Sequence, residues 1–356
     1  MLRYFIKKRL FAGGLVAGYL LMSAQAAVNN GNPYQLFSEA QLAGSATLLQ
    51  QFWQQQVTTG AVKAPDGTSL FYAYHIPAQA KATVVIVTGR TEAIAKYQEL
   101  FYEFGRLGYA VLGYDHRGQG QSARLLEDSQ IGHVERFADY IEDLHLILSK
   151  FSTMLPEQKV VLAHSMGGAV ASAYLAKYPG VFKAAALSAP MHAPNTELVF
   201  GAKDGCYLQQ ALGWICPDCY AGFVESRYQE SAFADNIYSH SAERYQRFRT
   251  LFREQAELQL GGPSWQWLGQ ACDIADQMPD IAANIKVPVK IIQAGADVAV
   301  RPEAQDLFCK NLGAYCADGA VLRIENARHE ILFEADQYRT PALTEILDFY
   351  QQQLTK

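Results

Sequence analysis

The sequence has no run of five or more basic residues, and charged side chains make up only 18% of its 356 residues. Nucleic-acid binding needs clustered Lys and Arg opposite phosphates, so we do not expect this chain to bind nucleic acid. Internal repeats and low-complexity tracts are also lacking. Hydrophobic residues, in contrast, make up 50% of the chain. This is ample for one large α/β domain with an insertion, or for two smaller domains.

The N-terminus has the pattern of a cleaved secretory signal peptide. Four basic residues precede the apolar run Leu10–Met22, and Ala24-Gln25-Ala26 supplies a small-residue cleavage pattern. Because 13 apolar residues are too few to span a bilayer comfortably, we predict a signal peptide over residues 1–26 and a periplasmic or secreted protein. The alternative is an uncleaved inner-membrane anchor. Removing residues 1–26 changes the formal charge from −5 to −9, so charge should not draw the mature chain to anionic membranes.

Cysteine usage agrees with export, because an even number of cysteines in an oxidising compartment suggests disulfides. All six follow the predicted cleavage site: Cys206, Cys216, Cys219, Cys272, Cys309 and Cys316. Cys309 and Cys316 flank a short loop that a disulfide could close, whereas the other four allow three connectivities. Cys216 and Cys219 also have the C-x-x-C spacing of metal ligands. A zinc site is the weaker alternative, because no His-rich cluster accompanies them.

Strands and helices alternate over most of the chain. A hairpin is expected around Pro65-Asp66-Gly67, after a Gln-rich helical stretch. Apolar periodicity then predicts strands at 82–89, 109–115, 159–165, 183–190, 289–295 and 320–326, and helices at 97–108, 136–151 and 167–180. This order predicts an α/β fold with a mostly parallel, doubly wound sheet.

Residues 191–285 interrupt the alternation. They are aromatic, rich in Gln and contain four of the cysteines. An insertion of this length between two sheet strands predicts a helical cap above the carboxyl ends of the strands, where open α/β sheets bind ligands. The chain would therefore consist of a first core part (27–190), the cap (191–285) and a second core part (286–356).

Ser165 is the candidate nucleophile. It lies in "VLAHSMGG", where a predicted strand runs into small residues and nearly spells G-x-S-x-G. Such a turn needs small residues two positions before and after the serine, and Ala163 and Gly167 stand there. The N-terminus of the following helix favours developing negative charge. On this stretch alone, an ordinary strand-to-helix junction is the alternative.

A catalytic serine needs a base, and the base needs an orienting acid. His329 follows the last predicted strand, and Asp297 follows the strand at 289–295. The order Ser165, Asp297, His329 is the one that α/β-hydrolases use, whereas Asp115 precedes the serine in the chain. His164 adjoins Ser165, but neighbouring residues of a strand point to opposite faces, so a packing role is expected.

An oxyanion hole needs two backbone N–H donors directed at one point. Met166, directly after the serine, is expected to supply one. Arg90 is expected to supply the other, because Gly89 lets the chain turn after the strand at 82–89. For the Arg90 side chain, an ion pair with a carboxylate such as Glu92 and a contact with a substrate phosphate are both open. This chemistry needs no metal and no organic cofactor.

Several motifs together resemble the bacterial lysophospholipases of the α/β-hydrolase superfamily, which are relatives of the monoacylglycerol lipases and of the serine aminopeptidase-like hydrolases. The motifs are "TGRTEAIAKYQEL", "GYDHRGQGQS", "GHVERFADYIEDL", "AHSMGG", "GGPSWQW" and "RHEILFE". The similarity runs from about residue 60 to the C-terminus and includes the insertion. It implies an α/β-hydrolase fold, the same triad of Ser165, Asp297 and His329, and an acyl-binding tunnel under the cap.

Two positions depart from the wider monoacylglycerol lipase pattern. Thr88 stands where those enzymes usually have His before the oxyanion glycine, and Ala163 replaces the first glycine of the serine motif. Both variants suit the lysophospholipase branch, and neither removes a catalytic group. The export signal and the cysteines are a further departure from the familiar bacterial members.

The expected activity is hydrolysis of single-chain lipids, most of all lysophospholipids. A monoacylglycerol lipase, a general esterase or a transacylase is the first alternative, and a non-catalytic lipid-binding protein is the second. An aminopeptidase is less favoured, because no acidic cluster is evident for a substrate amino group. The expected ligand is a small-molecule lipid, with peripheral membrane contact through the cap. Aromatic residues could line an acyl channel or form the core of the cap: Phe200, Tyr207, Trp214, Tyr220, Phe223, Trp265 and Trp267.

Overall fold

The structure, a computed structural model, describes residues 31–197, 205–223 and 226–356. The predicted signal peptide therefore lies outside the described residues. The chain divides into two compact units, Met1–Leu36 and Phe37–Lys356. In the described part of the first unit, the side chain of Asn32 exchanges two hydrogen bonds of 2.8 Å with the backbone of Leu36. None of the described helices combines the length and apolar character needed to cross a bilayer.

The second unit contains one eight-stranded sheet. Its strands are β1 (Thr58–Lys63), β2 (Ser69–His75), β3 (Ala82–Val87), β4 (Tyr109–Tyr114), β5 (Lys159–His164), β6 (Ala184–Ser188), β7 (Val289–Ala294) and β8 (Leu322–Ile324). Their order in the sheet is β1-β2-β4-β3-β5-β6-β7-β8. β2 pairs antiparallel with β1 and β4, and all other pairs are parallel. This confirms the predicted mostly parallel α/β fold.

Helices cover both faces of this sheet, which is why β3 to β7 are apolar runs buried along their whole length. The α-helices are α1 (Glu39–Ala43), α2 (Ala46–Gln56), α3 (Gln98–Arg106), α4 (Phe137–Lys150), α5 (Met166–Lys177), α6 (Gly205–Leu212), α7 (Ala242–Glu254), α8 (Trp265–Asn284), α9 (Pro302–Leu312) and α10 (Asp336–Leu354). Each predicted strand and helix is found within a few residues of its expected bounds, and the predicted hairpin is β1–β2.

The stretch expected to form a cap contains three described α-helices and no described strand. α8 differs from the expectation, because it packs against α5 and α9 of the core. Its apolar side chains, such as Trp267, Ile274 and Met278, belong to the same hydrophobic core as the sheet. α8 therefore behaves as a layer of the core, and the boundaries of the cap stay a prediction.

The six cysteines lie in three close pairs. The pairs are Cys206 with Cys272, Cys216 with Cys219 and Cys309 with Cys316, and their Cα atoms are 5.8, 5.4 and 5.3 Å apart. The last pair lies at the two ends of the expected loop, and the other two correspond to one of the three possible connectivities. The sulfur of Cys216 is directed at Cys219. Within the described ranges, no group of three or more His, Cys, Asp or Glu residues is arranged to hold a metal ion.

Arg244 attaches α7 to the core. Its side chain is buried, with 4% of the residue exposed. Nε and Nη2 donate to the carboxylate of Glu99 in α3 at 2.9 to 3.2 Å. Nη1 donates to the carbonyl oxygen of Glu334 at 2.8 Å and to the carboxylate of Asp336 at 3.0 Å. One guanidinium therefore fixes α7 against two separate parts of the core.

Replacing this buried cation tests its structural importance. We expect Arg244→Ala to lower the free energy of unfolding by about 3 kcal/mol, because the Glu99 carboxylate would lose its main partner while staying buried. Urea denaturation measures the change. Arg253→Ala on the same helix is the matched control, because the Arg253–Glu230 pair is exposed and its loss should leave stability unchanged. Equal midpoints for the two variants would contradict this account.

Candidate active site

Ser165 lies at the sharp turn between β5 and α5. Its backbone has φ 52° and ψ −120°, a conformation that non-glycine residues rarely adopt. Three backbone hydrogen bonds hold it there. The N–H of Ser165 donates to the carbonyl of Ser188 at 3.1 Å, and its carbonyl accepts from the N–H groups of Gly168 and Met191, both at 2.8 Å. The strain is thus maintained by the neighbouring strand and helix, as is common at functional sites.

Only one of the two small positions around Ser165 demands glycine. A Cβ atom at Gly167 would overlap the carbonyl oxygens of Val87 and Thr88, because α5 starts directly against the end of β3. Ala163 lies inside β5, and its methyl group is part of the hydrophobic core. The alanine is therefore accommodated, and the turn forms as expected.

The structure brings together the three residues predicted as a triad. Nε2 of His329 lies 2.9 Å from Oγ of Ser165, and Nδ1 lies 2.8 Å from Oδ2 of Asp297. The other carboxylate oxygen of Asp297 accepts from the N–H groups of Ala299 and Val300 at 2.8 and 3.2 Å. Because an ionised carboxylate can only accept, Nδ1 carries the proton and Nε2 is free to accept the serine proton.

The pair of Asp297 and His329 also determines the charges of the site. Burial by itself would raise the pKa of Asp297, but the charge and hydrogen bond of His329 and two backbone N–H groups lower it below 3.8. Burial would likewise lower the pKa of His329, but the Asp297 carboxylate outweighs it and raises that pKa above 6.5. An ionised acid and a strengthened base are what nucleophile activation requires.

Two other candidates from the sequence have structural roles. Nδ1 of His164 donates to the carbonyl of Ser188 at 3.1 Å, and burial lowers the pKa of this histidine to about 4. The carboxylate of Asp115 accepts from the N–H groups of Ile94 and Gln121 at 2.6 and 2.7 Å. Burial raises the pKa of Asp115 to about 7. His164 is thus bonded to the end of β6, and Asp115 braces two loops beside the site.

Arg90 and Met166, predicted to supply the oxyanion hole, line the same cavity as Ser165. The loop that carries Arg90 is fixed from within, because the N–H of Gly89 donates to Oε2 of Glu92 at 2.5 Å. A Cβ atom at Gly89 would lie 3.2 Å from Cβ of Ser165, so this backbone passes directly beside the serine. The use of the two amides as oxyanion donors stays a prediction.

Of the two interpretations left open for the Arg90 side chain, the ion pair with Glu92 is not formed. Nη1 of Arg90 donates to the carbonyl of Gly261 at 3.1 Å, and its guanidinium lies 5.3 Å from the ring centre of Trp267. Glu92 instead pairs with Lys96 at 2.7 Å. The i, i+4 spacing of Glu92 and Lys96 was the sequence signal for this pair.

Glu92 is a site residue that the sequence reasoning missed. It is buried, and besides Lys96 and the Gly89 amide it accepts from the hydroxyl of Tyr97 at 2.6 Å. Burial would raise its pKa, but Lys96 and these hydrogen bonds lower it to about 2. Glu92 is therefore ionised and braces the loop on which the predicted oxyanion donor lies.

A cavity of about 270 Å³ opens at Ser165. Eight of its lining side chains are apolar: Met166, Met191, Pro194, Pro263, Trp267, Leu268, Ala299 and Val300. Of the aromatic residues considered for an acyl channel, Trp267 lines this cavity, whereas Trp265 packs with Leu268 and Cys272. Tyr207 and Trp214 are 73% and 77% exposed. Phe200 and the side chain of Phe223 lie outside the described part of the chain.

Comparison with known sequences finds two kinds of relative. The family described as "Serine aminopeptidase, S33" matches residues 78–336. Lysophospholipase L2 of Escherichia coli K12 is 35% identical over 313 residues, which is 85% of this chain and 89% of that protein. A monoacylglycerol lipase of Mycolicibacterium smegmatis is 32% identical over 111 residues, covering 31% of this chain and 38% of that protein.

Solved structures show the same fold at lower sequence identity. A soluble variant of monoglyceride lipase from Saccharomyces cerevisiae superposes with a TM-score of 0.66 at 17% identity, covering 84% of this chain and 96% of that one. A monoacylglycerol lipase from Paleococcus ferrophilus gives 0.62 at 19% identity, covering 80% and 98%. Together with the sheet order, these neighbours identify the α/β-hydrolase fold.

The electrostatic coupling of Asp297 to His329 predicts the pH dependence of activity. The raised pKa of His329 means that it becomes neutral, and able to accept a proton, only as the pH rises above 6.5. We expect Asp297→Asn to move this acidic limb of kcat/KM to lower pH and to reduce kcat about 10⁴-fold. A pH profile with a p-nitrophenyl ester measures both effects. Asp306→Asn, at an exposed residue of α9, is the control. An acidic limb that stays in place would contradict the assigned coupling.

Proposed function

The chain belongs to the family of hydrolases described as "Serine aminopeptidase, S33", and from this premise we propose that it releases the fatty acid from lysophospholipids. Family membership makes it a serine hydrolase. The main support for a lysophospholipid substrate is the 35% identity, over most of both chains, to a lysophospholipase. The hydrogen-bonded series Ser165, His329 and Asp297 supports a two-step acyl-enzyme mechanism.

The first step forms the acyl-enzyme. As Oγ of Ser165 attacks the ester carbonyl, Nε2 of His329 accepts its proton across the existing 2.9 Å contact. Asp297 stabilises the resulting imidazolium. The backbone N–H groups of Met166 and Arg90 hold the oxyanion, and each such donor is worth about a hundred- to a thousand-fold in rate. His329 then gives its proton to the departing glycerophosphate alcohol.

The second step releases the fatty acid. Water enters, loses a proton to Nε2 of His329 and attacks the acyl carbonyl, after which the proton returns to Oγ of Ser165. The apolar residues of the cavity hold the acyl chain during both steps. No metal or organic cofactor takes part in this sequence.

A monoacylglycerol lipase, general esterase or transacylase is the second candidate. The 32% identity to a monoacylglycerol lipase favours it, but that similarity covers only 31% of this chain. The lipid relatives also weigh against an aminopeptidase, in spite of the description of the family. Hydrolase and transacylase would share the acyl-enzyme and differ only in the acceptor, water or a lipid alcohol.

Export, disulfides and membrane contact form a connected proposal. Residues 1–26 would direct the chain to the periplasm or outside the cell, where the three close cysteine pairs would be oxidised; an inner-membrane anchor is the alternative. Residues 191–285 would form the cap. Its exposed apolar side chains include a group within 207–215: Tyr207, Leu208, Trp214 and Ile215. This group would make the peripheral contact with a lipid surface.

A lipid panel tests the proposed substrate. We expect the protein to hydrolyse lysophosphatidylcholine with a higher kcat/KM than a monoacylglycerol of the same chain or a short p-nitrophenyl ester. Ser165→Ala should reduce kcat about 10⁶-fold on all three, because no other group replaces the nucleophile. An unchanged melting temperature of this variant shows that the fold is retained. Turnover of the neutral esters with an untouched phospholipid would exclude the lysophospholipase assignment.

A further inference from the structure

A second cavity, of about 410 Å³, lies beside the one that opens at Ser165. The two cavities share one wall, formed by Arg90, Thr91, Glu92, Tyr238 and Glu330. The second cavity therefore adjoins the one at Ser165. The mechanism proposed above involves only the cavity at Ser165.

The second cavity differs from the first in its charge. Four basic side chains line it: Arg90, Lys96, Arg227 and Arg249. Two of these are paired with carboxylates. Lys96 lies between Glu92 and Glu330 at 2.7 and 2.9 Å, and Arg227 pairs with Asp128 at 2.9 Å. Among the residues that the structure describes, neither Arg90 nor Arg249 has a carboxylate within ion-pair distance.

Arg249 is held in place but is incompletely bonded. Its guanidinium lies 4.8 Å from the ring centre of Tyr245 and 5.2 Å from that of Phe248. Nη1 donates to the hydroxyl of Tyr228 at 3.2 Å, whereas Nε is buried and has no hydrogen-bond partner in the described structure. A buried Nε is out of reach of a ligand, so Arg249 meets the cavity through its other atoms.

We propose that the second cavity binds the phosphate group of the substrate, through Arg249 and the guanidinium of Arg90. The inference rests on the proposed lysophospholipase function and deepens it by assigning the two ends of the substrate. A guanidinium held against aromatic rings presents a fork of donors that matches a phosphate. The Arg90 side chain keeps its hydrogen bond to the carbonyl of Gly261 and adds a positive charge to the wall of the second cavity.

The order of groups in a lysophospholipid fits this arrangement. The acyl chain would lie in the apolar cavity, the ester at Ser165, the glycerol beside Arg90 and the phosphate at Arg249. After acyl transfer, the glycerophosphate product would leave through the second cavity while the fatty acid stayed on the serine. A monoacylglycerol ends at the glycerol, so it does not reach Arg249. The charge of Arg249 would therefore favour lysophospholipids over monoacylglycerols.

The position of Arg249 is fixed by the helix that carries it, α7. Arg249 lies on the same helix as Arg244, whose buried contacts to Glu99 and Asp336 fix that helix against the core. A phosphate-binding cation is therefore presented from an anchored element and not from a free loop. This geometry predicts an effect of Arg249 on substrate binding, with little effect on the chemical step.

Kinetics of Arg249→Gln test the proposal. We expect the ratio of kcat/KM for lysophosphatidylcholine to kcat/KM for a monoacylglycerol of the same chain to fall about tenfold or more, mainly through KM. Arg249→Lys keeps the charge without the fork and should give an intermediate ratio. Arg253→Gln, an exposed residue of the same helix, should keep the wild-type ratio. A wild-type ratio in Arg249→Gln would overturn the assignment while leaving the lysophospholipase function intact.

Inhibition experiments test the proposed phosphate site without relying on lysophospholipid hydrolysis. Glycerol 3-phosphate and inorganic phosphate are tested as inhibitors of p-nitrophenyl butyrate hydrolysis by the wild type and Arg249→Gln. We expect glycerol 3-phosphate to inhibit the wild type more strongly than inorganic phosphate does, and at least tenfold more strongly than it inhibits the variant. Equal inhibition of both proteins, or stronger inhibition by inorganic phosphate, would contradict a headgroup site. Because the reporter is a p-nitrophenyl ester, this experiment tests the phosphate site even if the wild type does not hydrolyse lysophospholipids.

Discussion

The left-handed backbone of Ser165 is the constraint on which the arrangement of the site depends. Three hydrogen bonds, to Ser188, Gly168 and Met191, hold it between β6 and α5. This geometry starts α5 against the end of β3, which admits no side chain at Gly167. Because Gly89 follows the end of β3, the same packing brings its backbone beside Ser165. Nucleophile, predicted oxyanion donors and cavity are thus positioned by the packing of three strands and one helix.

Sequence periodicity predicted the sheet and the main helices, because buried parallel strands are continuous apolar runs with distinct ends. It also predicted that Ser165, Asp297 and His329 would meet, since each follows a strand and the carboxyl ends of parallel strands share one edge. It did not indicate that the Arg90 side chain bonds to Gly261 or that α8 packs into the core. Those contacts join residues far apart in the chain, and no local pattern encodes them.

Charge distribution divides the site into two functional halves. The cavity at Ser165 has apolar lining residues that suit an acyl chain. In the adjoining cavity, Arg249 lies against aromatic rings and has no carboxylate partner among the described residues. Lys96 lies between these halves and pairs with the carboxylates of both Glu92 and Glu330. Through Glu92 this cluster braces the loop of the predicted oxyanion donor. A substrate with an apolar chain and an anionic headgroup matches this division, as the relationship to a lysophospholipase suggests.

The central claim is that the folded chain activates Ser165 as a nucleophile. Labelling with a fluorophosphonate probe, followed by mass-spectrometric peptide mapping, measures this directly, because the probe bonds covalently to activated serines. The account predicts one adduct, on the peptide that contains Ser165, in native protein and none after unfolding in urea. A native protein without an adduct, or with the adduct on another serine, would contradict it.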